Sequence, residues 1–277
     1  MVVLIMSESQ KIQLTSLPDP RLQYYFAYQS WKELSKDHEK PHIHDSYEIY
    51  VNVSGDVAFL VNNSLYPVQK GDVVVTRPGD VHICVYQSAI EHACFCFWLQ
   101  CPDDSPLISF AKRKDFTNFI RYSDDTKREL LRLLYRLKDA EDTKREPARS
   151  AYLFRLITLF AEGEQTELEH ATLPVDMQRV LDYINDHYTQ LHCVEDIVNA
   201  THVSGSTLNR WFRAHLQLSP HKYVEALKLS YAQRLLIEGV SVTETCNRSG
   251  FSDCSRFISI FKNKFGQTPL QYQKHHE

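Results

Sequence analysis

His42, His44 and Glu48 all fall at even-numbered positions, so on an extended chain their side chains leave the same face. His82 follows a Pro78-Gly79 turn and can approach that face from a neighbouring strand. Three imidazoles and a carboxylate form a donor set suited to a divalent transition metal. The same four groups can instead hydrogen-bond an organic effector or one another, and residue type alone leaves both readings open. The 7 cysteines are odd in number and include no Cys-x-x-Cys pair. They therefore indicate neither a disulfide framework nor a structural zinc site, and read as reduced, mostly buried thiols.

The elements that must position these residues are short and β-like. His42–His44, Tyr47–Val53, Val57–Val61, Tyr66–Val68, Asp72–Thr76, His82–Tyr86 and His92–Leu99 are rich in Val, Ile, Tyr and Phe. Turn signals separate them at Ser54-Gly55, Asn62-Asn63, Lys70-Gly71 and Pro78-Gly79. Runs at this spacing imply an antiparallel sandwich or barrel. The aromatics Tyr24, Tyr25, Tyr47, Tyr50, Phe59 and Trp98 suit the apolar faces of a sugar or the packing of a core equally well. The spacing His42-x-His44, Glu48 and Gly55, then Gly71, Pro78-Gly79 and His82, resembles the cupin motifs. The proline of the second motif is displaced by one residue, and Tyr86 stands where cupins usually have asparagine.

At 277 residues the chain is longer than one core usually serves, and two domains are expected. A composition of 43% hydrophobic and 24% charged residues, with 8 Gly and 11 Pro, excludes a disordered, collagenous or low-complexity protein. The apolar start Met1–Met6 is too short for a membrane span or signal core, and no later stretch reaches about 20 apolar residues, so a cytoplasmic protein without a membrane partner is expected. Residues 176–277 carry 11 Lys and Arg against 10 Asp and Glu, which leaves the net negative charge of the chain on residues 1–175. So slight an excess cannot by itself indicate nucleic acid. Between the β region and the C-terminal third, leucines recur within Asp124–Asp142, and apolar residues at helical spacing follow Pro147. These are two amphipathic helices that cover the β domain or form a dimer seam, and their clustered leucines favour the seam.

The last third repeats itself. Leu208 and Phe257, Phe212 and Phe261, Pro220 and Pro269, and Tyr223 and Tyr272 are all 49 positions apart. Each copy reads as a short helix, a tight turn and a second helix, with Gly250 suited to a turn that needs positive φ. Between the copies, Ser219 caps a helix that has Pro220 at its first position and Gly239 at its end. Such a rod of roughly 28 Å would hold two recognition helices near one turn of DNA apart.

His192–Tyr272 resembles the DNA-binding domain of the AraC/XylS family, most sharply in Gly250-Phe251-Ser252-Asp253, Phe257, Phe261-Lys262 and Gly266-Gln267-Thr268-Pro269 with Tyr272. The resemblance implies a bacterial regulator that binds double-stranded promoter DNA, takes a small effector, plausibly a sugar, works as a homodimer and engages RNA polymerase as an activator of carbohydrate-utilisation genes. The expected architecture is an α+β multidomain chain. Residues 1–105 would form a cupin-like antiparallel β-barrel, 106–162 a helical dimerisation segment, 163–175 a linker and 176–277 an all-α domain with two helix-turn-helix motifs.

On the first recognition helix the outward set is Ser206, Thr207, Asn209, Arg210 and Arg213, with Arg210 able to take guanine and Asn209 adenine through paired hydrogen bonds. On the second it is Cys254, Ser255, Arg256, Ile258 and Ser259, a weaker set of readers. Lys262, with Lys222 and Lys264, suits phosphate contacts. Thr245 and Ser249 replace the aliphatic residues the resemblance leads one to expect, which suggests loose packing of the second copy. No catalytic residue is indicated. The rival readings are a metal-dependent cupin enzyme with an appended DNA-binding module, and a regulator without a ligand.

Overall fold

The structure is a computed structural model and describes residues 12–13, 23–31, 41–44, 46–86, 91–100, 105–114, 116–163 and 173–275. Among the described residues, nine antiparallel strands form two facing sheets. They are β1 (Ile12–Gln13), β2 (Gln23–Trp31), β3 (Tyr47–Ser54), β4 (Val57–Val61), β5 (Ser64–Val68), β6 (Val73–Thr76), β7 (His82–Tyr86), β8 (His92–Gln100) and β9 (Phe119–Ile120). One sheet has the order β1-β2-β8-β3-β6-β9 and the other β5-β4-β7, so the cupin-like domain is a sandwich of two sheets and the ladder does not close on itself. Strand β9 pairs with β6, which carries the sheet beyond the expected boundary at residue 105.

The strands lack polar and apolar alternation because both of their faces are buried. Along β3, Tyr47, Ile49, Val51 and Val53 point outward from the sandwich, while Tyr50 lies between the sheets. In β4, Val57, Phe59 and Val61 fill the interior and Ala58 and Leu60 the opposite face.

The outer face of the larger sheet is covered by α1 (Asp124–Asp142) and α2 (Glu146–Glu162). Ser123 caps α1 by accepting from the Thr126 backbone N–H, and Asp124 and Asp125 stand in its first turn, where the helix dipole favours negative charge. Leu130, Leu133, Leu134 and Leu137, with Leu153, Leu156, Ile157 and Phe160, pack in one cluster with Phe95, Phe97 and Val75 of the sheet. Within one chain these leucines form the cover, the first of their two expected roles. An apolar outer sheet face must itself be covered, and it uses them. On these two helices the large apolar residues left exposed are Tyr135 and Phe154.

The C-terminal region contains α3 (Val175–His187), α4 (Val194–Thr201), α5 (Gly205–Leu216), α6 (Pro220–Ile237), α7 (Val242–Arg248), α8 (Cys254–Phe265) and α9 (Pro269–Lys274). Residues 164–172 of the expected linker lie outside the described residues. The outer face of the smaller sheet is covered by this region: Ala58, Leu60, Ile83 and Val85 share one apolar cluster with Met177, Leu181, Phe212 and Tyr223. Polar contacts border it, from Asn63 Nδ2 to Asp182 Oδ1 at 2.8 Å and from Gln217 Nε2 to the Tyr86 carbonyl at 2.6 Å.

Candidate effector pocket and nucleic-acid interface

His42, His44, Glu48 and His82 converge at one end of the sandwich, with one potential ligand atom from each lying within 4.8 Å of the others. Glu48 is on β3 and His82 opens β7, so the two sheets face each other across the cluster. His42 joins by a bridge, its backbone N–H donating to the His82 carbonyl at 3.0 Å and its carbonyl accepting from the His82 N–H at 3.1 Å. The shared face expected of His42, His44 and Glu48 is thus reached through a bridge and a bend. Glu48 and His82 are buried, whereas His42 and His44 are half-buried and His44 keeps 20% of its side chain in solvent.

The hydrogen-bond pattern defines the charge of this site. His82 Nδ1 lies 2.9 Å from the Asp80 carbonyl and His44 Nδ1 2.9 Å from the Ser46 carbonyl. A carbonyl can only accept, so the His82 Nδ1 carries the hydrogen, whereas the His44 Nδ1 also lies 3.2 Å from the Ser46 hydroxyl, which can donate to it. Both Nε2 atoms then face the same Glu48 Oε2, at 3.1 Å from His82 and 2.9 Å from His44. A neutral His82 would turn a lone pair onto the carboxylate, a contact that a proton or a cation between the two atoms relieves. Ring N–H groups tied to backbone carbonyls are also the usual outer support of metal-binding histidines. Burial pushes the Glu48 carboxyl up, but the hydrogen bonds with His44 and His82 outweigh it and hold it well below the usual range.

His92 shows the opposite pattern. Its Nδ1 also meets a carbonyl, that of Ser54 at 2.8 Å, but its Nε2 accepts from the Tyr50 hydroxyl at 3.2 Å. It is satisfied as a neutral ring, and burial lowers its pKa to about 4. The aromatics are mostly core. Tyr50, Phe59 and Trp98 pack between the sheets, Tyr25 stacks on Trp98, and Tyr24 and Tyr47 face α1 and α2.

Helices α5 and α8 are the second helices of the two repeated copies, capped at equivalent positions by Ser204 and Asp253. Leu208, Phe212 and Leu216 of α5, and Phe257, Phe261 and Phe265 of α8, face inward. Ser206, Arg210 and Arg213 are exposed, as are Ser255, Arg256, Ser259 and Lys262. Thr207 and Asn209 are half-buried, and the Asn209 amide spends one of its two hydrogens on the Gly205 carbonyl at 2.9 Å, which ties the side chain back to its own helix. Cys254 is half-buried and disulfide-bonded to Cys246 on α7, contrary to the expectation of reduced thiols. The tight turn between α7 and α8 brings their α-carbons to 5.8 Å. Thr245 and Ser249 are fully buried, and Ser249 Oγ donates to the Thr245 carbonyl at 2.5 Å. The Thr245 hydroxyl donates to the Val240 carbonyl just before α7, so both hydroxyls find backbone partners and the second copy is not loosely packed as expected.

Two residues on α6 escaped sequence reasoning. The buried Lys228 ammonium donates to the Leu191 and Gly250 carbonyls, each at 2.6 Å, and so ties the segment before α4 to the turn before α8. Burial pushes its pKa down. Ser230 reaches the backbone of Ile43. A lysine and a serine within an apolar helical stretch were the only signals available. Gly250 has a φ of +81°, and a β-carbon there would lie 1.9 Å from the Thr189 carbonyl oxygen.

A β-sandwich with a buried ionic cluster, joined to two helix-turn-helix units on one rod, defines a ligand-sensing DNA-binding regulator. Residues 23–157 match the model of the AraC-like ligand binding domain and residues 197–275 that of a helix-turn-helix domain, and the chain belongs to the AraC family of transcription regulators. Similar proteins include the HTH-type transcriptional activator RhaS of Enterobacter sp. (strain 638), 24% identical over 246 residues that cover 84% of this chain and 87% of its own. RhaS of Citrobacter koseri is 24% identical over 240 residues, covering 82% and 85%. A solved structure of apo ToxT from Vibrio cholerae covers 92% of this chain and 98% of its own at 13% identity and a TM-score of 0.39. No helix among the described residues is long and apolar enough to cross a membrane.

Proposed function

We propose that the chain is an effector-responsive activator of carbohydrate-utilisation genes, with its effector received at the His42, His44, Glu48 and His82 cluster. The observation that carries this reading is the buried Glu48 carboxylate facing two imidazole Nε2 atoms, with the Nδ1 of His82 committed to a carbonyl. These four residues fit a divalent transition metal and would hold it. Such an ion would supply a Lewis-acidic centre for the hydroxyl oxygens of a sugar. His44, which reaches solvent, borders the entrance, and Glu48 and His82 form the buried base. The activator assignment is supported by the similarity to RhaS proteins along most of the chain.

On the DNA side, Arg210 would read a base under α5, while Ser206, Arg213, Ser255, Arg256, Ser259 and Lys262 supply weaker readout and phosphate contacts. Pairing of two chains would place two such units on a promoter, and an activator of this kind would engage RNA polymerase beside them. The domain division in the chain is a sensor that ends within α2 and a DNA-binding part that begins at α3. Footprinting across the gene's own upstream region, with and without candidate sugars, tests the reading. Protection over two adjacent major-groove faces that changes with one sugar is expected, and no protection under any condition would overturn it.

A further inference from the structure

The short segment between the two half-buried histidines of the pocket is anchored on the other domain. Ile43 lies between His42 and His44, and its backbone N–H donates to Ser230 Oγ at 2.8 Å while the same hydroxyl donates to the Ile43 carbonyl at 2.8 Å. One serine thus satisfies both backbone groups of one residue. The Ile43 side chain packs into the apolar cluster shared by the smaller sheet and the DNA-binding region, and Ser230 is 4% exposed. Ser230 sits on α6, the rod between the helix-turn-helix units. Two residues earlier on that rod, Lys228 holds the carbonyls of Leu191 and Gly250, which precede α4 and α8. The three-residue segment His42–His44 has little freedom to move independently, because His42 is also bonded to His82 on both sides of its bridge.

We infer that Ser230 is a positioning residue that couples the pocket to DNA: it holds Ile43, and through it His42 and His44, in register with α6. A change in the geometry of the cluster then shifts Ile43 against Ser230, and α6 carries that shift to both helix-turn-helix units together. This inference rests on the reading of the cluster as the effector site. It adds the joint through which that site acts and assigns the joint to one hydroxyl. By linkage the coupling runs both ways, so DNA on α5 and α8 must alter affinity at the cluster by the same factor.

A double-mutant cycle on the full chain decides it, with dissociation constants measured by fluorescence anisotropy on the DNA fragment protected in footprinting. Glu48→Gln removes the charge at the centre of the cluster and should change DNA affinity by about fivefold or more, the lower end of ordinary allosteric coupling. In the Ser230→Ala background the same substitution should change it by less than about twofold. Gln217→Ala, which removes a different hydrogen bond between the domains, should leave the Glu48→Gln effect at full size and so separates coupling from docking in general. An equal Glu48→Gln effect with and without Ser230, or no effect in the wild type, would overturn the inference.

Zinc titration of the wild type is run beside the cycle. Absence of zinc binding would overturn the metal reading of the cluster while leaving the cycle to judge the joint. Hydrogen exchange covers the case in which Ser230→Ala does not fold. A change at the cluster, whether zinc or Glu48→Gln, should alter exchange in the peptides spanning 41–44 and 225–235 together, and a change confined to the first would count against the joint.

Discussion

His82 Nε2 stands 3.1 Å from Glu48 Oε2, and both residues are shielded from solvent at the meeting of two sheets. With His82 Nδ1 committed to the Asp80 carbonyl, this contact concentrates acceptors where a cation belongs.

Purified protein should accordingly carry close to one equivalent of a divalent transition metal per chain, measured by elemental analysis. His44→Ala removes one ligand and should strip most of it, because a donor set of three holds such an ion far less tightly than four. Metal-free protein that still responds to a sugar would leave hydrogen bonding as the only chemistry of the cluster.

The stability of the sensor should fall with pH through His92, a residue away from the cluster whose ring meets Tyr50, Tyr86 and the Ser54 carbonyl. Its pKa is about 4 when folded, against roughly 6.5 for a free histidine. Between those values the unfolded chain binds the extra proton, so this contribution is complete above about pH 6.5 and lost as the pH falls to 4. The loss is on the order of 3 kcal/mol at most. Urea midpoints across this range should show the slope in the wild type and a shallower one in His92→Gln.

Gly250→Ala should destabilise the C-terminal region by roughly 3 kcal/mol or more, since the residue adds a strained φ to a steric clash with the Thr189 carbonyl. Gly239, also at positive φ but with open space around it, should cost about 1 kcal/mol on the same change. Chemical denaturation of both variants compares the two costs directly, and equal losses would contradict the packing assigned to Gly250.

Sequence preference should be concentrated under α5. Arg210→Ala should flatten the preference at one or two positions at a cost of about 1–3 kcal/mol. Lys262→Ala should weaken binding about equally on all sequences and reduce the salt slope by about one. Asn209→Ala should have the smaller effect of the two α5 readers, because its amide is already bonded to Gly205. Binding selection on a randomised site reads all three, and equal information under α5 and α8 would refute the asymmetry.

The amino-acid sequence by itself determined the helical third. Helix boundaries there follow from local chemistry, with Ser204, Ser219, Asp253 and Thr268 as caps and Pro220 and Pro269 at the first positions. Apolar spacing of 3.6 then selects the buried face, and outside this third α1 coincides with the Asp124–Asp142 segment read from the sequence. The sequence also picked out the four members of the histidine cluster, although His42 and His44 reach it through an isolated bridge and a bend outside β3 rather than by parity along one strand.

Tertiary structure alone decided where the apolar surfaces went. The leucines of α1 and α2 suit a dimer seam or a sheet cover, and only the tertiary structure shows that within one chain they serve as the cover. Strand β2 pairs with β8 across some seventy residues of chain, and Ser230 meets Ile43 across 187. No local pattern encodes partners at such separations, since each depends on the free energy of bringing whole surfaces together. Those long-range contacts are what place the segment of the histidine cluster against α6, the rod between the two helix-turn-helix units.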